Sequence, residues 1–312
     1  MLRLALLVAL LVLVASMLGG LRSALDGASS STTTAGGPEA GTSPYLNEQY
    51  SPPPADMNPP GIPGPRDVSA ATTLTQRNPF YSQQVPVPTR CDLPLVDGMS
   101  ATQRQLEEHL NELMGCLMTV WEEPVSASGF TMPRPPVVVY SRPVRTACGT
   151  FDEVNAAYCS GDQRVYYAAA LLRAFPPAIR ESPYAVEMIV AHEFAHAIQA
   201  RTAILASEKA LEQRASSEAA ANELSRRTEV QADCLAAQFV RSVAQSQDLG
   251  ASEIDALGTF TYNLGDDVLS GRPGFSGGHG LGSSRQDWFE RGIASSEVAV
   301  CNAFVAPSGQ VR

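Results

Sequence analysis

The chain has 312 residues, a formal net charge of −10 and a sequence pI near 4.9. Hydrophobic residues make up 44% of it, which is enough apolar material for a sizeable core. The acidic balance leaves no basic patch that could follow a phosphate backbone, so nucleic-acid binding is excluded.

The first predicted element is an apolar segment at the N-terminus. Arg3 precedes an uninterrupted apolar run from Leu4 to Leu21, and Arg22 follows it. A run of this length is at the lower limit for a membrane-spanning helix and exceeds the usual apolar core of a cleaved signal. Residues 1–22 are therefore predicted to be a signal anchor, with a cleaved signal peptide as the alternative. Either form exports the rest of the chain.

A stalk is predicted next, over residues 23–90. This segment is rich in Ser, Thr, Gly and Pro, as in SPPPADMNPPGIPGP, and such composition favours a flexible or extended chain without a core. The folded domain is predicted over 91–305, and 306–312 form a short tail.

The six cysteines all lie beyond the stalk. An even number in an exported domain indicates disulfides, and six cysteines allow fifteen pairings. The short segment between Cys148 and Cys159 could be a clipped loop. No CxxC spacing is present, which argues against a cysteine metal site.

The domain opens with a predicted helix over 101–121, where apolar residues recur at helical spacing. His109 lies in this helix and is assigned no role. Segments 135–140 and 163–169 are rich in β-branched and aromatic residues and are predicted to be strands.

A second helix is predicted for YAVEMIVAHEFAHAIQAR, with Ser182 as N-cap and Pro183 in the first turn. His192, Glu193 and His196 fall within about 100° of one another on this helix, and apolar residues occupy the opposite face. Histidines four residues apart can bind one metal ion, and the carboxylate at the next position stands beside that ion.

A third metal ligand is predicted on a later helix, over residues 216–245. Glu229 and Asp233 lie four residues apart on one face, an arrangement usual among zinc peptidases whose third ligand is a glutamate. There the glutamate binds zinc, and the aspartate accepts a hydrogen bond from a ligand histidine. Glu223 is the rival ligand, but it has no Asp four residues on.

Several separate motifs resemble the bacterial neutral zinc metallopeptidases, which are typically membrane-anchored. The resemblance covers roughly residues 91–304 and rests on ACGTFDEVNAAYCSGDQRVYY, AHEFAHAIQ, TEVQADCLAAQF, LGDDVL, HGLGSSRQDWFERG and a final CNAF. The chain departs from the family pattern at Ala195, where Gly is commoner, and at YYAAA, where an acidic residue is usual. Neither departure affects a predicted ligand.

The resemblance implies an α+β, mainly helical domain of gluzincin-like type with a small sheet. One Zn²⁺ per chain would be held by His192, His196 and Glu229. Glu193 would be the general base, and Asp233 would accept a hydrogen bond from a ligand histidine. The strand near residues 165–168 is expected to be the sheet edge that pairs with an extended substrate.

The same resemblance implies a role for His279, in the Gly-rich loop before a helix that begins near Ser283 or Ser284. It would donate a hydrogen bond to the transition state, and Tyr262 is the alternative donor. The resemblance also implies the disulfides Cys148–Cys159 and Cys234–Cys301, which leaves Cys91 and Cys116 for each other.

The implied function is zinc-dependent hydrolysis of a peptide or protein substrate outside the bacterial cell membrane. The protein would be anchored by its N-terminal helix, or secreted if the signal is cleaved. The alternative is a zinc-binding envelope interaction protein without hydrolytic activity, whose sign would be loss of Glu193. A metal-free structural protein would lack the third ligand.

Overall fold

The computed structural model describes residues 43–312, so the predicted membrane segment and the first part of the stalk lie outside the described residues. The helices are α1 (Val68–Gln76), α2 (Gln103–Ala127), α3 (Leu171–Ala174), α4 (Pro177–Arg180), α5 (Ala185–Arg201), α6 (Ile204–Glu212), α7 (Glu218–Val243), α8 (Ala251–Asn263), α9 (Asp266–Leu269) and α10 (Gly282–Ala294). The strands are β1 (Val137–Tyr140), β2 (Val144–Thr146), β3 (Gly149–Phe151), β4 (Ala156–Cys159) and β5 (Arg164–Ala168). None of the helices between residues 43 and 312 combines the length and the hydropathy of a membrane span. The expected α+β, mainly helical class is therefore observed.

The sheet is small, with strand order β1-β5-β4. β1 pairs with β5 in parallel, with Val137 opposite Val165, and β4 pairs with β5 antiparallel. β2 and β3 form a separate two-stranded hairpin. The prediction that residues 165–168 form the edge strand is wrong, because β1 occupies the second side of β5. The edge strand beside α5 is β4.

Helix α5 lies at the centre of the core. Nearly all of its residues are buried, and it packs against α2, α6, α7 and β4. A buried contact of 2.7 Å between His109 Nε2 and Glu187 Oε1 joins α2 to α5. His109 therefore has a structural role that its sequence context did not indicate.

The start of α5 differs from the predicted cap. The helix begins at Ala185, and Tyr184 precedes it in the left-handed conformation (φ 61°) without a side-chain cap. The hydroxyl of Tyr184 donates to the carbonyl of Gln247 at 2.7 Å. Because this tertiary contact fixes Tyr184 outside the helix, Ser182 and Pro183 lie in the preceding turn.

The predicted stalk is wrong for residues 43–90. Residues 68–76 form a helix that packs on α6, and Phe80 and Tyr81 are buried in the core. The extended backbone before α1 is also fixed to the domain, because Arg201 Nη1 donates a hydrogen bond to the carbonyl of Pro60 at 2.8 Å. Composition does not predict this packing, because the hydrogen bonds that hold the Pro-rich backbone come from residues that are distant in the sequence.

The predicted tail, residues 306–312, also belongs to the domain. Val311 is fully buried, and its carbonyl accepts from Arg226 Nε at 2.8 Å. The indole N–H of Trp288 donates to the carbonyl of Gln310 at 2.8 Å. The tail is therefore an integral part of the packing around α7 and α10.

Disulfides join Cys148 to Cys159 and Cys234 to Cys301, as the resemblance implied, and Cys91 to Cys116, the pair that was left. The Cys234–Cys301 bond ties the middle of α7 to a 3₁₀ turn (Val298–Cys301), and both of its cysteines are fully buried. Among residues 43–312 there is no free cysteine.

Removal of the Cys234–Cys301 bond is expected to lower the free energy of unfolding by about 2–5 kcal/mol. The bond closes a long loop, and without it the unfolded chain gains conformational entropy. Urea denaturation of the Cys234→Ala/Cys301→Ala protein measures the change. The Cys148→Ala/Cys159→Ala protein is the control, since that bond closes a much shorter loop and should matter less. Equal stability of the Cys234→Ala/Cys301→Ala and unmodified proteins would contradict the expectation.

Candidate metal centre

Three predicted ligands converge where α5 crosses α7. Donor atoms of His192, His196 and Glu229 all lie within 4.8 Å of one another. His192 Nε2 is 3.3 Å from Glu229 Oε2, and His196 Nε2 is 3.6 Å from Glu229 Oε1. One helical turn separates the two histidines, so both Nε2 atoms point toward the same carboxylate.

This donor set fits a zinc ion. Two imidazoles and one carboxylate are a common ligand set of catalytic zinc sites, which keep a further position for water or substrate. Each side chain is only slightly exposed, between 13% and 16%, at the base of an open cleft. The site is therefore both largely enclosed and accessible.

His192 is oriented from behind by Asp233. Its Nδ1–H donates to Asp233 Oδ1 at 2.9 Å, which leaves Nε2 free for a metal. Arg285, from α10, donates to both oxygens of Asp233 at 2.8 Å. The bidentate ion pair is buried and fixes the carboxylate plane.

His196 is oriented by a chain of amides. Its Nδ1–H donates to Gln199 Oε1 at 2.8 Å, and Gln199 Nε2 donates to Gln231 Oε1 at 3.1 Å. Gln231 Nε2 in turn donates to the hydroxyl of Tyr81 at 3.0 Å. A residue of the segment predicted to be stalk thus supports the orientation of a predicted metal ligand.

The electrostatics of the centre favour a bound cation. Burial lowers the pKa of His192, but the hydrogen bonds that it donates to the carboxylates of Asp233 and Glu229 outweigh burial and raise that pKa to about 10. Burial raises the pKa of Glu229, but His196 and His192 outweigh it and hold this pKa well below its usual range. Glu229 and Asp233 contact the two ring nitrogens of His192, so the centre favours positive charge, which a metal ion at Nε2 would supply.

Glu193 lies beside the three ligands, not among them. Its Oε2 accepts a hydrogen bond from the backbone N–H of Tyr158 on β4 at 2.8 Å. The contact joins the edge strand to α5 and fixes the direction of the carboxylate. Oε1 remains for contact with a substrate or water.

His279 lies in the loop that closes the other side of the cleft. The loop is organised by Asp266, whose Oδ2 accepts backbone N–H groups of Gly277, His279 and Gly280 at 2.8–3.1 Å. Asp266 Oδ1 also lies 3.3 Å from His279 Nδ1. The imidazole is 66% exposed and lines the same cleft as His192 and Glu193.

Tyr262, the alternative donor, and Glu223, the alternative metal ligand, lie in different surroundings. Tyr262 is not among the residues that line the cleft, and its backbone carbonyl packs closely against Gly282. Glu223 accepts from Arg227 Nη2 at 2.8 Å and from Ser308 Oγ at 2.9 Å. The structure therefore brings His279 and Glu229 to the cleft and places Tyr262 and Glu223 outside it.

Three side chains that support the candidate site were not among the predicted site residues. Arg285 and Asp266 lie within motifs that carried the resemblance, HGLGSSRQDWFERG and LGDDVL, but no partner could be assigned to either from sequence. Gln199 follows the second histidine by three residues, one helical turn on, so its spacing could have identified it.

Comparison with known proteins places this geometry in context. The family described as "Putative neutral zinc metallopeptidase" matches residues 82–304. The uncharacterized protein YpfJ of Escherichia coli (strain K12) is 28% identical over 216 residues, which cover 66% of this chain and 74% of the relative. The uncharacterized protein Rv2575 of Mycobacterium tuberculosis (strain ATCC 25618 / H37Rv) is 26% identical over 247 residues, or 72% and 81% of the two chains. No solved structure shows a significant match, so the gluzincin-like architecture remains a prediction.

Proposed function

The chain belongs to the family described as "Putative neutral zinc metallopeptidase", and from this premise we propose that it is a peptidase that hydrolyses peptide bonds with one zinc ion per chain. The ion would be held by His192, His196 and Glu229. The observation that carries the proposal is the convergence of these three donors beside Glu193 in an open cleft of about 550 Å³.

When bound, zinc supplies a Lewis acid that polarises a peptide carbonyl and makes water acidic enough to attack near neutral pH. Glu193 is then the general base. It accepts the proton of the attacking water, and the protonated carboxyl passes that proton to the leaving amine. The hydrogen bond from Tyr158 supports this role, because it holds one carboxylate oxygen in place while the other exchanges the proton.

His279 is the proposed donor to the substrate oxygen as negative charge develops there. The loop anchored by Asp266 supports this role, since three backbone hydrogen bonds hold the residues on both sides of the imidazole. A donor positioned for the developing charge stabilises the transition state more than the bound substrate.

Replacement of His279 by alanine is therefore expected to lower kcat about 10²–10³-fold and to leave KM and zinc content nearly unchanged. Steady-state kinetics and elemental analysis of the same preparation provide the measurement. Tyr262→Phe is the control and should retain normal kcat. A normal kcat in His279→Ala would remove this residue from the mechanism, and loss of zinc would assign it to the metal site.

We also propose that the peptidase acts outside the cytoplasm. Three disulfides, one of which ties the helix that carries Glu229 to a 3₁₀ turn, favour an oxidising compartment. The apolar run at the N-terminus is consistent with export, either as an anchor or as a cleaved signal. Cell fractionation with external protease distinguishes an anchored from a released domain.

The function itself is tested by purifying the protein without nickel affinity steps and analysing metal and activity together. The expected result is about one zinc per chain and cleavage of unstructured peptides. Zinc far below one per chain in folded protein would contradict the proposed site. Full zinc occupancy without any cleavage would favour the non-hydrolytic binding protein instead.

A further inference from the structure

The loop that carries His279 has little rigidity of its own. Its sequence from Ser276 to Gly280 is SGGHG, and Gly280 lies in the left-handed region at φ 92°. Glycine loses more conformational freedom on ordering than any other residue, so a loop of this kind keeps one conformation only when other segments hold it. The position of the imidazole relative to the metal ligands therefore depends on contacts from outside the loop.

Asp266 orders the loop but does not connect it to a metal ligand. Its carboxylate accepts the N–H groups of Gly277, His279 and Gly280, and its own backbone N–H donates to the carbonyl of Gly280 at 2.8 Å. Asp266 is the first residue of α9, a helix of four residues that carries none of the predicted ligands. These bonds therefore fix the shape of the loop and leave its distance from the zinc site to be set by other contacts.

Arg226 connects the loop to the helix that carries Glu229. Its Nη1 donates to the carbonyl of Gly277 at 3.0 Å. Arg226 precedes Glu229 on α7 by three residues, which is about 4.5 Å along the helix axis. The next loop residue, Gly278, lies so close to α7 that a Cβ atom there would be 3.2 Å from Ser225 Oγ. The loop thus packs directly on the turn of α7 that precedes the zinc ligand.

The tail fixes the direction of the Arg226 side chain. Arg226 Nε donates to the carbonyl of Val311 at 2.8 Å, and Val311 is fully buried. A guanidinium is planar and its N–H groups have fixed relative directions, so the bond to the tail also directs Nη1 toward Gly277. The tail contacts the end of the loop as well, because the N–H of Leu281 donates to the carbonyl of Arg312 at 2.6 Å. One guanidinium therefore joins α7, the loop and the tail.

Arg226 itself does not contact the space where a substrate would bind. It is absent from the described residues that line the cleft, although its neighbour Ser225 and the ligand Glu229 belong to them. Within residues 43–312, both of its side-chain hydrogen bonds go to backbone carbonyls, one in the loop and one in the tail. An effect of Arg226 on the reaction would therefore pass through the loop.

We propose that Arg226 is a positioning residue, which holds His279 at a fixed distance from the zinc site through the carbonyl of Gly277. The arginine and the ligand Glu229 lie on one helix, so the loop and the metal ligand are positioned by the same rigid element. A misplacement of about 1 Å in an active site can cost about 100-fold in rate, so the donor loses much of its effect without this bond. The inference rests on the proposed function of His279.

Replacement of Arg226 by methionine tests this role, because methionine keeps an apolar stem and removes both donors. The expected result is a kcat about 10–100-fold lower, with KM changed by less than about twofold and zinc content unchanged, since the donor acts on the transition state. Arg226→Lys keeps the charge and one donor, so a smaller loss is expected, and this variant provides the test if Arg226→Met does not fold. Normal kcat would overturn the inference.

A matched control and a double variant separate positioning from a general effect on the fold. Arg241→Met is the control, since Arg241 lies on the same helix and its Nη1 also donates to a backbone carbonyl, that of Ile293, at 2.7 Å. It should retain normal kcat. Arg226→Met/His279→Ala should be within about twofold of His279→Ala alone, because the arginine acts through the histidine. Fold-losses that multiply would show that Arg226 acts independently of His279.

Amide hydrogen exchange distinguishes failure of the inference from failure of the proposed function. In the zinc-loaded full chain, the amides of Gly277, His279 and Gly280 should exchange at least about tenfold faster in Arg226→Met and at the normal rate in Arg241→Met. This holds whether or not the protein cleaves peptides. Faster exchange in a protein that cleaves no peptide would contradict the peptidase alone. Equal exchange in Arg226→Met and the unmodified protein would contradict the role of Arg226.

Discussion

Replacement of Glu193 by glutamine is expected to lower kcat by about 10²–10⁴-fold, the usual contribution of a positioned general base, while the protein keeps its zinc. Glutamine has nearly the same shape and retains an oxygen that can accept the hydrogen bond from Tyr158. It has no basic carboxylate, so it cannot take the proton of the attacking water. The loss therefore falls on the chemical step.

The measurement combines kcat on a cleaved peptide with elemental analysis of the same sample. Glu181→Gln is a matched control, since this carboxylate is 71% exposed just before α5 and should not affect turnover. Retention of normal kcat in Glu193→Gln would contradict the general-base assignment. Loss of zinc would instead place Glu193 among the ligands.

Replacement of Glu229 by alanine should reduce zinc affinity by more than about 100-fold and abolish peptide hydrolysis. Loss of a supporting residue behind a ligand already weakens metal binding about 10–100-fold, and Glu229 is proposed as a direct ligand. The substitution also removes the carboxylate that lies within 3.6 Å of both imidazoles. Competition with a zinc-sensitive dye measures the affinity.

Glu223→Ala is the matched control on the same helix. Glu223 pairs with Arg227 and Ser308 away from the cleft, so its loss should leave zinc affinity unchanged. Circular dichroism of both proteins checks that α7 remains folded. Loss of zinc in Glu223→Ala with normal binding in Glu229→Ala would reverse the ligand assignment.

The sequence predicted the elements whose local pattern and tertiary role agree. The helix that carries His192 and the helix that carries Glu229 both have clear helical spacing, and the structure places them within a few residues of the predicted bounds. The strands around Val138 and Tyr166 combine β-branched and aromatic residues with flanking turn signals, and both are present. In these elements the local propensity and the burial point to the same structure.

The parts that the sequence did not predict depend on distant contacts. Pro-rich backbone near Pro60 is ordered because Arg201 donates to it, and Tyr81 is held by Gln231. Likewise, β5 is central because β1 pairs with it, which no local pattern of residues 164–168 reveals. Propensity and composition describe neighbours along the chain, so they do not report such bonds.

The most direct test of the central claim is a zinc titration of the metal-stripped full chain, with peptide cleavage followed at each addition. The three converging ligands and Glu193 predict that cleavage rises in proportion to added zinc and levels off at about one zinc per chain. The Glu193→Gln protein should bind the same amount of zinc and remain near background throughout. Cleavage by the stripped protein, or none at one bound zinc per chain, would contradict the account.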